Sequence, residues 1–223
     1  MRRDFLRVFV KPPRAGEVKT RLAASIGARA AAELARAFFV DTREAIQELD
    51  GFVPVLATAT DFHEGEWVPP GAAVWPQGAG DLGQRMERIS QRALGLGGRS
   101  LIIGSDLPGL PPARIVQARE TLANYDAVLG PTPGGGYYAL RRCPAGLLEG
   151  LPWSSKRTLE LTVVRFKASG PSLHLLEPWS DVDRFEDLVR LQERIRSGEV
   201  LAPRTAEVLA RIGLLPGRRA DGV

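Results

Sequence analysis

Hydrophobic and polar positions along the first 130 residues switch between two periods. Short apolar runs typical of buried strands lie at Phe5 to Val10, Phe52 to Ala59, Ala72 to Trp75, Ser100 to Asp106 and Asp126 to Gly130. Longer stretches with helical spacing separate them, at Ala23 to Leu49, Asp81 to Leu96 and Pro111 to Ala123. Strands that alternate with helices predict a parallel, doubly wound open sheet with right-handed crossovers.

This alternation breaks after Gly130. Two further strand-like runs, "YYALRR" and "SLHLL", flank the segment "LPWSS" and one more helix, which predicts a mixed sheet in the second half. Two helical patterns follow from Phe185, and "PGRRADGV" ends the chain as a tail. We therefore expect one α/β domain over residues 1–223, made of stretches 1–130, 131–184 and 185–223.

Composition excludes several classes of protein. With 223 residues, 44% hydrophobic and 25% charged, the chain is typical of a globular domain. The net charge of +4 is small, and no long basic run interleaved with aromatic residues indicates a nucleic-acid partner. The single cysteine, Cys143, excludes an intramolecular disulfide, and with two histidines there is no Cys/His zinc set.

No targeting or membrane segment is predicted. The first residues, "MRRDFLRVFVKPPR", have too short an apolar run for a signal peptide. No segment reaches the roughly 18 apolar residues of a membrane span. We expect a cytoplasmic protein without a membrane partner, and the sequence leaves the oligomeric state open.

The segment "VFVKPPRAGEVKTRL" combines a strand exit with four cations, Lys11, Arg14, Lys19 and Arg21. In open α/β sheets, ligands bind at the carboxyl ends of strands, and a loop that opens a helix offers free N–H groups to anions. Gly16 would allow close approach of the backbone. We predict phosphate binding here rather than a solvated basic loop, although the spacing is not that of a P-loop.

The segment "GAGDLG" from Gly78 to Gly83 matches the G-x-G-x-x-G pattern and precedes a helix. A dinucleotide site is one interpretation, but Asp81 inside the turn would repel a pyrophosphate. Asp81 is also a good helix N-cap. We favour a helix-opening loop at the rim of a pocket.

Two acidic segments are candidate metal ligands. Asp106 follows the apolar run of "IIGSDLPGL", where a carboxylate could hold Mg²⁺ together with substrate phosphates, or could be a turn residue before Pro108. In "WSDVDRFEDL", Asp181 and Asp183 share a face of an extended chain and could join Asp106 around one cation. Asp183 could instead cap a helix, with Glu186 at the N3 position.

Six motifs together resemble a known family. "VKPPRAGEVKTRL", "DLGQRM", "IGSDLPGL", "GPTPGGGYYAL", "LPWSSKRTLELT" and "DVDRFEDL" occur in the order found in a bacterial family of GT-A-like transferases. That family is usually described as glycosyltransferases and is related to nucleotidyltransferases that load GMP or CMP onto small phosphorylated acids. The resemblance covers about residues 5 to 190.

The resemblance implies a nucleotide diphosphate over the first half of the sheet and a Mg²⁺ or Mn²⁺ ion on Asp106, with Asp183 or Asp181 as a second ligand. Lys19 and Arg21 would contact phosphates and, with Asp106, carry the catalysis. The remaining candidates are Lys11, Gly16, Gly83 and Arg85 for the nucleotide, and Gly135, Gly136, Tyr137, Trp153, Ser154 and Arg157 on the acceptor side. Trp153 could equally be a core residue, and Ser154 or Ser155 a helix cap.

One position departs from the family. Relatives commonly read Asp-Gly-Gly-Tyr-Tyr where this chain has Gly134 before Gly135 and Gly136, so a carboxylate near the acceptor is absent. The first hypothesis is glycosyl transfer from a nucleoside-diphosphate sugar to a small acceptor. The alternatives are nucleotidyl transfer from an NTP to a small phosphorylated substrate, in which the attacking phosphate needs no base, and a nucleotide-binding protein without catalysis.

Overall fold

In a computed structural model of the chain, the described residues are 4–47, 49–59, 73–141 and 146–215. Ala72, Arg142, Cys143 and the tail from residue 216, which entered the predictions above, lie outside these ranges. Over the described residues, no helix is long and apolar enough to span a membrane.

The described chain contains seven strands and seven helices. The strands are β1 Asp4–Val10, β2 Phe52–Thr58, β3 Ala73–Pro76, β4 Arg99–Gly104, β5 Ala127–Pro131, β6 Tyr137–Arg141 and β7 Leu173–Leu175. The helices are α1 Thr20–Ile26, α2 Ala28–Gln47, α3 Leu82–Gly95, α4 Pro112–Thr121, α5 Thr158–Ser169, α6 Phe185–Arg196 and α7 Pro203–Arg211. The single helix predicted from Ala23 to Leu49 is wrong, because Gly27 at φ +86° ends α1 before α2 begins.

The sheet has the order β3-β2-β1-β4-β6-β5-β7. Strands β1, β2, β3 and β4 pair in parallel, as do β5 and β7. Strand β6 runs antiparallel to both β4 and β5. The α/β class with a mostly parallel open sheet is confirmed, and so is the mixed second half.

The chain divides into two compact units whose segments alternate along the sequence. Unit 1 comprises residues 1–12, 46–104 and 111–180, and unit 2 comprises 13–45, 105–110 and 181–223. Unit 1 therefore holds the whole sheet with α3, α4 and α5, while unit 2 holds α1, α2, α6 and α7. The single domain and its three stretches stay a prediction.

One face of the sheet in unit 1 carries an apolar core with a charge inside it. Phe5 of β1 packs in this core with Ile102 of β4, Ile89 of α3 and Phe166 of α5. Arg7, two residues after Phe5, is fully buried, and burial lowers its pKa to about 9. Its Nη1 donates a 3.4 Å hydrogen bond to the Ile89 carbonyl, whereas Nε and Nη2 have no hydrogen-bond partner among the described residues.

In unit 2, a buried carboxylate joins α2 to α7. Asp41 is 5% exposed and accepts hydrogen bonds from Arg204 N and Thr205 N, both at 2.9 Å, and from Thr205 Oγ1 at 2.6 Å. The first turn of α7 has no cap from its own N-cap residue, Ala202. Asp41 therefore satisfies two of the N–H groups that every helix leaves free at its start.

Candidate functional site

In unit 2, Lys19 connects the basic loop to both acidic segments. Its Nζ lies 2.7 Å from Asp106 Oδ2 and donates a 2.6 Å hydrogen bond to the carbonyl of Val182, which stands between Asp181 and Asp183. The Lys19 side chain is 7% exposed and that of Asp106 is 44% exposed. The three segments that sequence reasoning singled out therefore converge on one ammonium group.

The backbone that presents Lys19 is unusual. Lys19 is the N-cap of α1 and has φ 49° and ψ 40°, the left-handed region that non-glycine residues seldom adopt. Among the described residues, only Lys19 and Ser154 combine a side chain with a positive φ. Strained residues of this kind persist where the surroundings fix them, and they cluster at functional sites.

A second ion pair links the basic loop to the late acidic segment. Arg21 Nη1 lies 2.6 Å from Asp183 Oδ2, with side chains that are 48% and 40% exposed. Because both partners face solvent, this pair contributes less to stability than the more buried pair of Lys19. Each of the two cations predicted to bind phosphate is thus paired with a carboxylate predicted to bind metal.

Asp181 is half-buried beside these pairs. Burial is the main cause that raises the pKa of its carboxyl above the usual range; the Lys19 charge lowers this pKa and the Asp106 charge raises it. The two carboxyls therefore lie close enough to repel each other. A buried carboxylate whose negative charge is only partly offset by neighbouring cations is stabilised when a further cation approaches it.

The acidic segment itself is held by its backbone. Val182 N donates to the Asp106 carbonyl at 3.2 Å, so the two acidic segments are also joined through the main chain. The Asp187 carboxylate accepts from Asp183 N at 3.0 Å and from Arg184 N at 2.8 Å. The predicted cap of α6 by Asp183 and Glu186 is wrong, because the helix begins one residue later with Arg184 as the N-cap and Asp187 at N3.

The donor set of unit 2 fits a hard divalent cation. Asp106, Asp181 and Asp183 offer carboxylate oxygens, and the Lys19 ammonium already lies among oxygens of both segments. Within the described residues, no group of three Asp, Glu, His or Cys side chains could hold a metal by themselves. Mg²⁺ commonly takes one or two carboxylates and completes its shell with water and substrate phosphates, which this arrangement allows.

The remaining loop residues have less definite surroundings. Gly16 has φ +84° and open space around it, next to the turn in which Glu17 N donates to the Arg14 carbonyl at 3.1 Å. Lys11 directly follows β1 in unit 1 and is exposed. A groove of about 960 Å³ in unit 2, between α2 and α7, is lined by none of the predicted site residues.

In unit 1, the loop before α3 is pinned by arginines. Asp81 caps α3, with its Oδ1 accepting from Gln84 N at 2.9 Å, which confirms the predicted N-cap. Arg85 Nε donates to the Gly80 carbonyl at 2.8 Å. Arg88, which sequence reasoning missed, donates to the carbonyls of Gln77 and Ala79. Arg88 follows the candidate Arg85 by three positions on the same helix, so the two side chains share a face, which was a signal that could have found it.

Gly83 is a packing position in unit 1. A Cβ atom at Gly83 would lie 2.6 Å from the Leu148 carbonyl oxygen and 2.8 Å from Trp153 Cζ2. Real Cβ atoms essentially never come within 3.0 Å of an atom outside their own residue and its chain neighbours, so only glycine fits at this position. Gly83 therefore sets the contact of α3 with the segment that carries Trp153.

The glycine-rich turn in unit 1 abuts the start of α5. Gly135 has φ +85°, and its carbonyl accepts from Leu159 N at 2.7 Å. Gly136 closes the turn, with its carbonyl accepting from Thr132 N at 3.0 Å. The two segments predicted for the acceptor side, "GPTPGGGYYAL" and "LPWSSKRTLELT", are thus in contact.

Aromatic residues flank this turn. Tyr137 and Trp153 make an edge contact with their ring centroids 6.3 Å apart, and both are only partly buried. Tyr138 is buried, and its hydroxyl donates to the Glu177 carbonyl at 3.0 Å. Of the two tyrosines, Tyr137 is therefore the more accessible.

The segment after Trp153 begins α5 at a different residue from the one predicted. The predicted cap of α5 by Ser154 or Ser155 is wrong, because the N-cap is Arg157, whose side chain makes no cap hydrogen bond. Ser154 instead adopts a left-handed conformation at φ 60°. Arg157 is exposed and pairs with Glu160 at 3.4 Å, with side chains 66% and 62% exposed.

A family model described as "Uncharacterized protein conserved in bacteria (DUF2064)" matches residues 42–155. The chain belongs to this family. The matched range includes Gly83, Asp106 and the glycine-rich turn, whereas Lys19 and Asp183 lie outside it. No curated protein matches the chain.

Solved structures confirm the fold family that the six motifs indicated. A protein from Desulfovibrio desulfuricans G20, provisionally named a nucleotide-diphospho-sugar transferase, is 27% identical with a TM-score of 0.85, over 95% of this chain and 97% of that one. A cytidylyltransferase from Leptospira borgpetersenii is 14% identical with a TM-score of 0.53, over 95% and 94% of the two chains. This second likeness concerns the fold alone.

Proposed function

We propose that the chain is a divalent-metal-dependent transferase that uses a nucleotide-activated donor, and that it transfers a glycosyl group from a nucleoside-diphosphate sugar to a small acceptor. The observation that carries this proposal is the convergence of Lys19, Asp106 and the segment 181–183 in unit 2. The likeness to the D. desulfuricans protein, which covers nearly the whole of both chains, supports it.

In this proposal, Asp106 holds Mg²⁺ or Mn²⁺ together with Asp183 or Asp181. The bound ion offsets the negative charge that builds on a departing diphosphate. Lys19 and Arg21 bind the phosphates as fixed positive charges, with Gly16 in the same loop of unit 2. Lys11, Gly83 and Arg85 of unit 1 stay candidates for the nucleotide on the motif resemblance alone. The close pairing of Lys19 and Arg21 with carboxylates keeps the charges of unit 2 nearly balanced before the nucleotide arrives.

The acceptor side of the proposal lies in unit 1. Tyr137 and Trp153 present a partly buried aromatic pair of the kind on which a sugar ring or base can stack. Gly135, Gly136 and Ser154 shape the backbone beside this pair, and the exposed guanidinium of Arg157 is available to a phosphate or carboxylate of the acceptor.

Nucleotidyl transfer is a second candidate because of one observation at Gly134. A glycine at position 134 supplies no carboxylate, although the turn has room for a side chain there, since the nearest atom to a Cβ built at Gly134 is Thr132 Oγ1 at 4.0 Å. Glycosyl transfer to a neutral hydroxyl gains from a general base, whereas an attacking phosphate is already anionic. Transfer of NMP from an NTP to a small phosphorylated substrate would therefore proceed without that carboxylate.

The first test is a thermal-shift series with UDP, GDP, CDP, their sugar conjugates and the triphosphates, each with and without Mn²⁺. A ligand that binds only the native state raises the Tm. We expect a metal-dependent rise in the wild type that Asp106→Ala abolishes. Asp50→Ala, which removes an exposed carboxylate in unit 1, is the matched control and should behave as the wild type.

Product analysis then separates the candidates. Release of UDP or GDP from a sugar nucleotide indicates glycosyl transfer, and release of pyrophosphate from an NTP indicates nucleotidyl transfer. Binding without turnover across all donors would favour a nucleotide-binding protein without catalysis. Absence of any shift with all nucleotides would refute both catalytic candidates.

A further inference from the structure

The Lys19 ammonium makes the contacts that a metal ion would make. It lies 2.7 Å from Asp106 Oδ2 and 2.6 Å from the Val182 carbonyl oxygen, and its side chain is 7% exposed. Carboxylate and backbone carbonyl oxygens are the ligands that hard cations prefer. A divalent ion that binds Asp106 therefore has to compete with a positive charge that the chain itself supplies.

Displacement of this ammonium is unfavourable unless another anion receives it. The Lys19 side chain is shielded from water, although Asp106 is partly exposed, so an ammonium that lost its carboxylate there would be an uncompensated buried charge. Arg21 is the partner of Asp183 in the same way, at 2.6 Å, although that pair is about half-exposed. Lys19 therefore opposes the binding of a divalent ion in the absence of nucleotide more strongly than Arg21 does.

We propose that Lys19 and Arg21 form a cation latch: they occupy the carboxylates of the metal site until nucleotide phosphates arrive and accept both side chains. This inference rests on the proposed function. Two monovalent charges leave the carboxylates when one divalent charge takes their place, so the exchange preserves the charge around Asp106 and Asp183. The metal ion and the nucleotide consequently bind together, and the ion alone binds weakly.

The backbone of Lys19 agrees with a residue that its contacts hold in place. Its left-handed backbone conformation, φ 49° and ψ 40°, is unfavourable for any residue other than glycine, because the Cβ atom comes too close to the following carbonyl oxygen. Such a conformation is retained when neighbouring contacts determine it. The contacts of Nζ with Asp106 and Val182 contribute to this, together with the 2.7 Å hydrogen bond from Ala23 N to the Lys19 carbonyl.

The cation latch predicts a coupling between two ligands that can be measured without turnover. Mn²⁺ binding is followed by electron paramagnetic resonance of the free ion, with the protein alone and with a saturating concentration of UDP, GDP, CDP or the corresponding triphosphate. Samples without protein correct for the ion that the nucleotide itself binds. We expect nucleotide to raise the Mn²⁺ affinity of the wild type by about 10-fold to 100-fold, within the usual range of coupling between ligands.

Substitution of Lys19 tests whether this residue causes the coupling between Mn²⁺ and nucleotide binding. In Lys19→Met, Mn²⁺ alone should bind about 10-fold more tightly than in the wild type, and the coupling to nucleotide should fall to about 3-fold or less. Lys19→Arg keeps the positive charge and should keep the coupling. Lys167→Met removes an exposed lysine of α5 in unit 1 and should match the wild type.

The failures of the two proposals are distinguishable. Equal Mn²⁺ affinity with and without nucleotide in the wild type would overturn the cation latch and leave the proposed function standing. Unchanged affinity and coupling in a folded Lys19→Met would overturn it as well. If Lys19→Met does not fold, Lys19→Gln is judged by the same criteria. Absence of all Mn²⁺ and nucleotide binding in the wild type would overturn both proposals.

Discussion

Two neighbouring glycines of the turn in unit 1 should respond in opposite ways to the same substitution. Gly135 has φ +85°, and an added Cβ would lie 2.2 Å from the Lys156 carbonyl oxygen and 2.5 Å from its carbonyl carbon. Gly134 has no positive φ, and the nearest atom to its Cβ, Thr132 Oγ1, is 4.0 Å away. Gly135→Ala therefore meets backbone, while Gly134→Ala meets open space.

The expected magnitudes follow from these distances. The left-handed conformation costs a non-glycine residue about 1–2 kcal/mol. The clash can be relieved only if the backbone of Lys156 moves, which also weakens the hydrogen bond from Leu159 N to the Gly135 carbonyl, a contribution of about 1 kcal/mol. We expect Gly135→Ala to lower the free energy of unfolding by about 3 kcal/mol or more. Gly134→Ala should stay within about 0.5 kcal/mol or be slightly stabilising.

Thermal unfolding measures the difference directly. For a chain of this size, 1 kcal/mol corresponds to about 2–4 °C in Tm. Gly135→Ala should therefore lower the Tm by about 6–12 °C, and Gly134→Ala should remain within about 2 °C of the wild type. Equal Tm values for the two variants would refute the assignment of Gly135 to a glycine-only conformation against Lys156.

Substitutions at three further positions probe the buried charges and the turn. Asp41→Ala removes the acceptor of three hydrogen bonds from Arg204 N, Thr205 N and Thr205 Oγ1 and should lower the free energy of unfolding by about 2–4 kcal/mol in urea titrations. Burial raises the pKa of Asp41 above its ordinary 3.8, so between 3.8 and the pKa of the folded state the folded protein keeps a proton that the unfolded chain has lost. The free energy of unfolding therefore falls as the pH rises through this interval. Parallel plots of the free energy of unfolding against pH for the wild type and Asp41→Asn would contradict this. Arg7→Met replaces a buried cation that has one long hydrogen bond, so the free energy of unfolding should be unchanged or higher. A decrease of more than about 1 kcal/mol in urea titrations would contradict the view that the buried charge of Arg7 is poorly compensated. Gly134→Asp should fold as the wild type and, if glycosyl transfer requires a base, raise turnover of sugar nucleotides by about 10-fold or more in steady-state assays; unchanged turnover would favour nucleotidyl transfer.

Local signals in the sequence were sufficient for most of the fold. The buried strands, the cap of α3 by Asp81 and the mixed second half follow from periodicity and short-range chemistry. Errors occurred where two local solutions compete. A glycine inside a helical pattern is tolerated or ends a helix, and at Gly27 it separates α1 from α2. At α6, the predicted pair was Asp183 as N-cap with Glu186 at N3, whereas the N-cap is Arg184, whose N donates to Asp187 at N3.

The pairing of charges in the site could not be predicted in the same way. Lys19, Arg21, Asp106 and Asp183 were each recognisable, but which cation meets which carboxylate depends on contacts between distant parts of the chain. Lys19 and Val182 are separated by 163 positions, and Arg21 and Asp183 by 162. Periodicity and motif spacing carry no information over such separations, so the charge pairing from which the cation latch is proposed appears only in the folded chain.

The same separations determine when the site can form during biosynthesis. The basic loop is translated before the late acidic segment, and Val182 and Asp183 follow it by more than 160 residues. A ribosome adds about 5–20 residues per second, and units fold as their residues emerge. For roughly 8–30 seconds, Arg21 therefore lacks Asp183, the carboxylate with which it pairs, whereas Asp106, the partner of Lys19, is translated earlier. A product truncated before residue 181 cannot form the Arg21 pair or the contact of Lys19 with Val182. Completion of the proposed nucleotide site is thereby tied to completion of the acidic segment, and prematurely terminated chains lack the pair of Arg21 with Asp183.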